Sequence, residues 1–186
     1  MTRPRLATLA LLIVLLGHGM VSPLGATGSL SEDTAVRFLL ATIQAFRTAY
    51  VEHITERVKT AGIEAKEDWS TDDRAIMLPF QFVKMAAFEI KGETKNLEIG
   101  LVSLTPIYTA NFPKTEAEVA ALRTLTADPS KRILTFTDGK VFKGIAGDFA
   151  IEQSCADCHN HHPNATRRDF KKGDLMGAVV VRLKKL

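Results

Sequence analysis

Apolar positions early in the chain recur at three- and four-residue steps. Leu39, Ile43, Phe46, Tyr50 and Ile54 keep that period across residues 31–60, which predicts a long amphipathic helix with those side chains facing inward. Ser31 suits its N-cap, Glu32 and Asp33 fall in the first turn where acids complement the helix dipole, and Gly62 ends it. A polar connection containing the single tryptophan, Trp69, follows. Pro79 is a favoured first-turn residue, and Phe82, Val83, Ala86 and Ile90 extend a second helix that stops at Gly92. Residues 97–104 are short and apolar and are closed by Pro106, as a strand would be. Thr115-Glu116-Ala117-Glu118 matches a capping box and opens a helix through Val119, Leu122 and Leu125 to Pro129. Residues 133–137 and 141–151 flank Asp138-Gly139 and read as a hairpin with a tight primed turn; the last strand covers 178–183. Helices first, then strands with one helix between them, give an α+β domain: a mostly antiparallel sheet with a long N-terminal helix and flanking helices.

The first 26 residues stand outside this pattern. Arg3 and Arg5 precede an apolar run over residues 6–16, and small residues around 25–28 follow, the layout of a secretory signal. The run is shorter than the about 20 residues of a membrane span. The expectation is export to the periplasm, with the segment cleaved or retained as an inner-membrane anchor, and one domain over 27–186. Membrane contact is expected only through an uncleaved segment.

Composition narrows the function classes. Forty-six per cent apolar residues exclude a wholly disordered chain, and a net charge of +3 is too small to argue for nucleic acid. The charge is unevenly placed: residues 27–154 hold 15 basic against 18 acidic residues, and residues 155–186 hold 7 against 3. That basic end is a candidate contact for an acidic redox partner. Two cysteines cannot make a disulfide scaffold, but they can make one cofactor anchor.

Both cysteines lie in Cys155-Ala156-Asp157-Cys158-His159, the C-x-x-C-H attachment site of a c-type haem. Two thiols at this spacing reach the two vinyl groups of one porphyrin and form thioethers, and the adjacent His159 becomes the proximal iron ligand. The attachment is made outside the cytoplasmic membrane, so motif and signal segment support each other. A disulfide here would close a very small loop and stabilise little. A zinc site would draw all its ligands from within eight residues, unlike structural zinc sites. The main rival is an exported thiol–disulfide oxidoreductase using the C-x-x-C pair without haem, although such a pair belongs early in a βαβ pattern.

A wider resemblance accompanies the motif. Cys155 to Asn160, His162-Pro163, Asp169-Phe170-Lys171-Lys172-Gly173-Asp174 and Gly177-Ala178-Val179-Val180-Val181 resemble the PAS-like c-haem domain family, the Tll-type haem-binding domain. Phe46-Arg47-Thr48-Ala49-Tyr50, Leu78-Pro79-Phe80-Gln81-Phe82-Val83, the stretch from Leu101 to Ile107, and Phe112-Pro113-Lys114-Thr115-Glu116 resemble its upstream landmarks. The resemblance implies a PAS-like fold with one covalent haem c. It also implies a role in redox sensing, gas sensing or electron transfer, here as a stand-alone domain.

The sixth iron position decides between these roles. His53 lies roughly 20° from Phe46 around the first helix, which makes it a candidate distal ligand. Met77 and Met85 are thioether candidates, Met176 is a candidate to line the haem edge, and an open site able to take a small diatomic ligand is an equal alternative. Arg167 and Arg168 are candidate partners for the haem propionates, Arg by a two-pronged contact. No nucleophile elbow, phosphate loop or second haem motif is present, so a non-enzymatic role is expected.

Overall fold

Four antiparallel strands in the order β3-β6-β5-β4 form the sheet that carries the domain: β3 (Leu97–Val102), β4 (Ile133–Asp138), β5 (Val141–Phe149) and β6 (Leu175–Lys184). The computed structural model describes residues 29–184. The expected signal segment lies outside the described residues. A two-residue parallel pair, β1 (Glu64–Ala65) and β2 (Ala75–Ile76), stands apart. The helices are α1 (Glu32–Tyr50), α2 (Glu56–Lys59), α3 (Pro79–Glu93), α4 (Glu116–Ala127) and α5 (Gln153–His161). The fold is α+β, as the order of helical and strand periods predicts. No described helix is long and apolar enough to cross a membrane.

Helices cover both faces of the sheet. Val36 and Leu40 of α1 pack on Ala146, Val179 and Val181, while Ala121, Leu122 and Leu125 of α4 pack on Val102, Ile145, Ala178 and Val180. This explains why β6 reads as a continuous apolar run instead of alternating: its successive side chains enter two different cores. Gly144 lets α1 approach β5, since a Cβ there would lie 2.4 Å from Val36 Cγ1 and 2.8 Å from Leu40 Cδ1.

Ser31 caps α1 as expected, its Oγ accepting the Thr34 amide at 3.1 Å. The inward face of that helix matches the expected stripe only in part: Leu39 and Ile43 pack on the sheet core. Val36, Leu40, Arg47 and Val51 are buried, whereas Phe46 is 64% and Ile54 45% exposed. The face that meets the sheet is set by Gly144 and its neighbours, and it admits an arginine in place of Phe46. A π turn over Val51–Thr55 joins α1 to α2, with the Glu56 amide donating to Val51 O. Such turns often mark functional sites.

Smaller differences follow the same logic. Gly92 lies inside α3, which closes at Thr94. The hairpin turn is Gly139-Lys140, one residue later than expected, because Asp138 pairs with Val141; Gly139 takes the positive φ, +59°, that this turn needs at its first central position. Thr115 Oγ1 caps the Glu118 amide at 3.3 Å, but the Glu118 carboxylate does not complete the box. It turns into the α4 core, where it accepts from Lys143 Nζ at 2.8 Å, Arg182 Nε at 2.7 Å and Nη2 at 2.9 Å, and the Lys114 amide at 2.8 Å. Three bonds to two cations and one amide hold its carboxyl down at about 2, overcoming the opposing effect of burial.

Candidate functional site

The C-x-x-C-H motif forms most of α5, a helix that follows directly from β5. Residues 155, 158 and 159 are three and four apart, so both thiols and the imidazole share one helix face. That face borders a cavity of about 490 Å³, within the range of small-molecule and cofactor sites. Cys155, Cys158, His159, Arg47, Tyr108 and Asp148 are among its lining residues. Both thiols are free. Behind the helix, Ala156 packs with Ala150, Phe170 and Met176.

His159 is fixed from its outer side. Its ring meets the Phe170 ring edge-on, centroids 5.9 Å apart, and Asn160 clamps the Phe170 backbone by donating to its carbonyl at 2.8 Å and accepting its amide at 2.9 Å. Burial, the Arg47 charge and His162 lower the proton affinity of His159. A neutral imidazole is the form that ligates iron. Burial, Glu67 and Cys155 push the Cys158 thiol up, away from the low value of a nucleophilic thiol. His162 lies beside Glu67, Nε2 to Oε1 3.4 Å, and against the Tyr108 ring; His161 is exposed.

Another part of the lining comes from α1 and its π turn. Arg47, Val51 and Thr55 line the cavity there. Arg47 and Asp148 are 3% and 4% exposed, with Nη2 2.7 Å from Oδ1. Nη2 also donates to Phe149 O at 3.3 Å, and the guanidinium lies over the Phe80 ring. Three buried side-chain atoms among the described residues lack a hydrogen-bond partner: Arg47 Nε, Thr55 Oγ1 and Asp148 Oδ1. All three belong to residues on this one cavity. Buried polar groups left unpaired are costly, so their convergence marks a site shaped for a bound group. Two thiols and a neutral histidine on one wall fit the attachment of a haem c. Among the described residues no cluster of three or more His, Cys, Asp or Glu could hold a bare metal ion.

The structure places two sets of expected site residues away from this cavity. His53 is exposed and does not line the cavity. The helix buries Val51, and a residue two positions on lies on the far side. Arg167 and Arg168 do not line the cavity either. Arg167 pairs with Asp169 at 2.7 Å and covers the Phe170 ring; Arg168 donates to Asn160 O at 2.8 Å and Pro163 O at 3.3 Å. They brace the loop behind His159 from outside. The basic groups on the cavity are instead Arg47, Lys59 and Lys84. Met85 is exposed, and Met77 does not line the cavity. Met176 does, but it is buried on the α5 side against Ala156.

An α+β domain presenting C-x-x-C-H on a helix, against a cavity edged by unpaired buried polar atoms, defines a prosthetic-group-binding class of protein. Within that class the chain belongs to the Tll0287-like family, whose profile matches residues 30–183. A crystal structure of the cyanobacterial haem protein Tll0287 shares the fold, with a TM-score of 0.60 at 16% identity, over 84% of this chain and 98% of that one. No curated protein sequence matches the chain.

Proposed function

We propose that the protein is an exported monohaem c-type cytochrome whose role is redox or diatomic-gas sensing or single-electron transfer, without turnover of a substrate. The observation that carries this reading is the convergence of Cys155, Cys158 and neutral His159 on a cavity where all three unpaired buried polar atoms also lie. Family membership and the fold shared with a haem protein support it. Export to the periplasm rests on the signal pattern of residues 1–26 and on the compartment in which thioethers are formed.

In this reading Cys155 and Cys158 tether the ring, and His159, held by Phe170 and Asn160, supplies the proximal nitrogen. Bound haem supplies a one-electron iron couple and a coordination position for a small ligand. Among the described lining residues the only histidine is His159 and the only methionine is Met176, which belongs to the α5 side. This favours an open or weakly held sixth position, and with it sensing over pure electron transfer. The test is the ferrous spectrum with and without carbon monoxide. A large shift is expected; unchanged bands would indicate two strong protein ligands, and a colourless protein with a reactive thiol pair would favour the rival.

A further inference from the structure

The Arg47–Asp148 pair has no task in haem attachment, yet it lies buried on the attachment cavity. Resting on the haem reading above, we propose that Asp148 is the proton acceptor that balances reduction of the haem, with Arg47 as the cation that links its charge to the iron site.

The geometry carries this in three steps. Arg47, Asp148 and His159 border one cavity, and both members of the pair are almost wholly withdrawn from water, so solvent screens their charges poorly. The carboxylate is also weakly held. Its Oδ1 is 2.7 Å from Arg47 Nη2 but has no aligned hydrogen bond, and Nη2 instead donates to Phe149 O. Glu118 on the other face of the sheet has three bonds to cations and an amide bond, and stays ionised. Finally, the Arg47 charge already acts on His159, so the field of the pair reaches the ligand position, and coupling between sites is reciprocal.

The neighbours of Asp148 leave it responsive. From α1 it faces Arg47 and the neutral Gln44, whose amide donates to Ala146 O and Gly147 O. Its partner on β6 is Gly177, flanked by Met176 and Ala178, and just before β4 the Arg132 side chain is turned onto the Phe149 ring. His159 on α5 and the charged residues Glu56, Lys59, Glu64, Glu67 and Lys84 line the same cavity. Only Arg47 offsets the effect of burial, which pushes the Asp148 carboxyl up to about 6, inside the ordinary pH range. When a one-electron donor, a reduced redox protein or a chemical reductant, converts ferric to ferrous iron, the cavity gains one negative charge. A proton from solvent then binds Asp148 as a carboxylic acid and restores the balance.

The test is a spectroelectrochemical titration of the haem-loaded protein at pH values on both sides of 6. The wild-type midpoint potential should fall as pH rises there, the ratio of reduced to oxidised protein changing by up to about tenfold per pH unit for one coupled proton. That slope should vanish in Asp148→Asn, persist in Asp148→Glu, and move to higher pH in Arg47→Gln, where burial of the carboxylate is uncompensated. An unchanged slope in Asp148→Asn overturns the proposal while leaving the haem reading intact; a protein without thioether-linked haem overturns both. Redox-difference infrared spectra of the wild type with carboxyl-labelled aspartate need no variant to fold. A label-sensitive carboxylic acid band on reduction near pH 6 supports the proposal, and its absence overturns it.

Discussion

Two buried carboxylates, one on each face of the sheet, titrate in opposite directions. Glu118 has Lys143, Arg182 and a backbone amide, and its carboxyl lies at about 2 against an ordinary 4.5. A group lowered on folding stabilises the fold at pH above the unfolded value, and that contribution is lost as pH falls from about 4.5 to about 2. Asp148, raised from 3.8 to about 6, favours the fold below the unfolded value, and its contribution is lost as pH rises through about 6. Replacing Glu118 by Gln removes the carboxylate shared by two buried cations, leaving Lys143 with Asp138 and Arg182 with Glu98, and should cost about 1–3 kcal/mol in urea unfolding at neutral pH, a cost that shrinks toward pH 2. His53→Ala should leave the ferric spectrum of the haem-loaded protein unchanged, because the side chain faces away from the cavity. Cys155, Cys158 and His159 stood out in the sequence because their local spacing puts them on one helix face, and the structure brings all three to one cavity. Arg47 and Asp148 did not stand out, since each is a lone charged residue whose partner is about a hundred positions away. A hint existed in both cases. Arg47 falls four residues before buried Val51, and Asp148 shares a strand face with Gly144 and Ala146.

At the scale of elements, strand and helix positions followed the hydrophobic period well, and orientation followed it less well. The four main strands and the helices α1, α3 and α4 appear where the pattern places them. α5 has too few apolar residues to announce itself and is held in place by tertiary contacts such as Ser154 Oγ donating to Glu56 Oε1 at 3.0 Å. The inward face of α1 was read correctly at Leu39 and Ile43, which pack on the sheet core, and wrongly at Phe46, which is apolar yet exposed, because only the partner sheet decides which stripe is covered. The tight seat of α1 on β5 gives a direct check. Gly144→Val adds a side chain where even a Cβ meets Val36 and Leu40, and overpacking of this kind costs about 1–3 kcal/mol. Urea midpoints should fall accordingly, and an unchanged midpoint would mean that α1 does not lie as close as described.

For the whole molecule, the basic C-terminal end changes meaning once folded. Arg182 is buried with Glu118 and Glu98, Arg167 pairs with Asp169, and Lys172 pairs with Glu152. Much of that charge is balanced internally, so a docking surface for an acidic redox partner is narrower than the sequence suggests, reduced among the described residues mainly to Lys171, Lys184 and the fringe of Arg168. Electron-transfer rates with such a partner should therefore depend only weakly on ionic strength. The domain places its sheet between α1 and α4 and sets α5 at the end of β5, so that a C-x-x-C-H motif and a buried ion pair distant in sequence border one cavity. The central claim is that Cys155 and Cys158 hold one haem covalently. The intact mass of protein produced in the periplasm, measured after denaturation, tests it most directly. One haem should remain attached to the wild-type chain and none to the Cys155→Ala, Cys158→Ala double variant; a wild-type chain of bare polypeptide mass, with haem absent or released on denaturation, would contradict it.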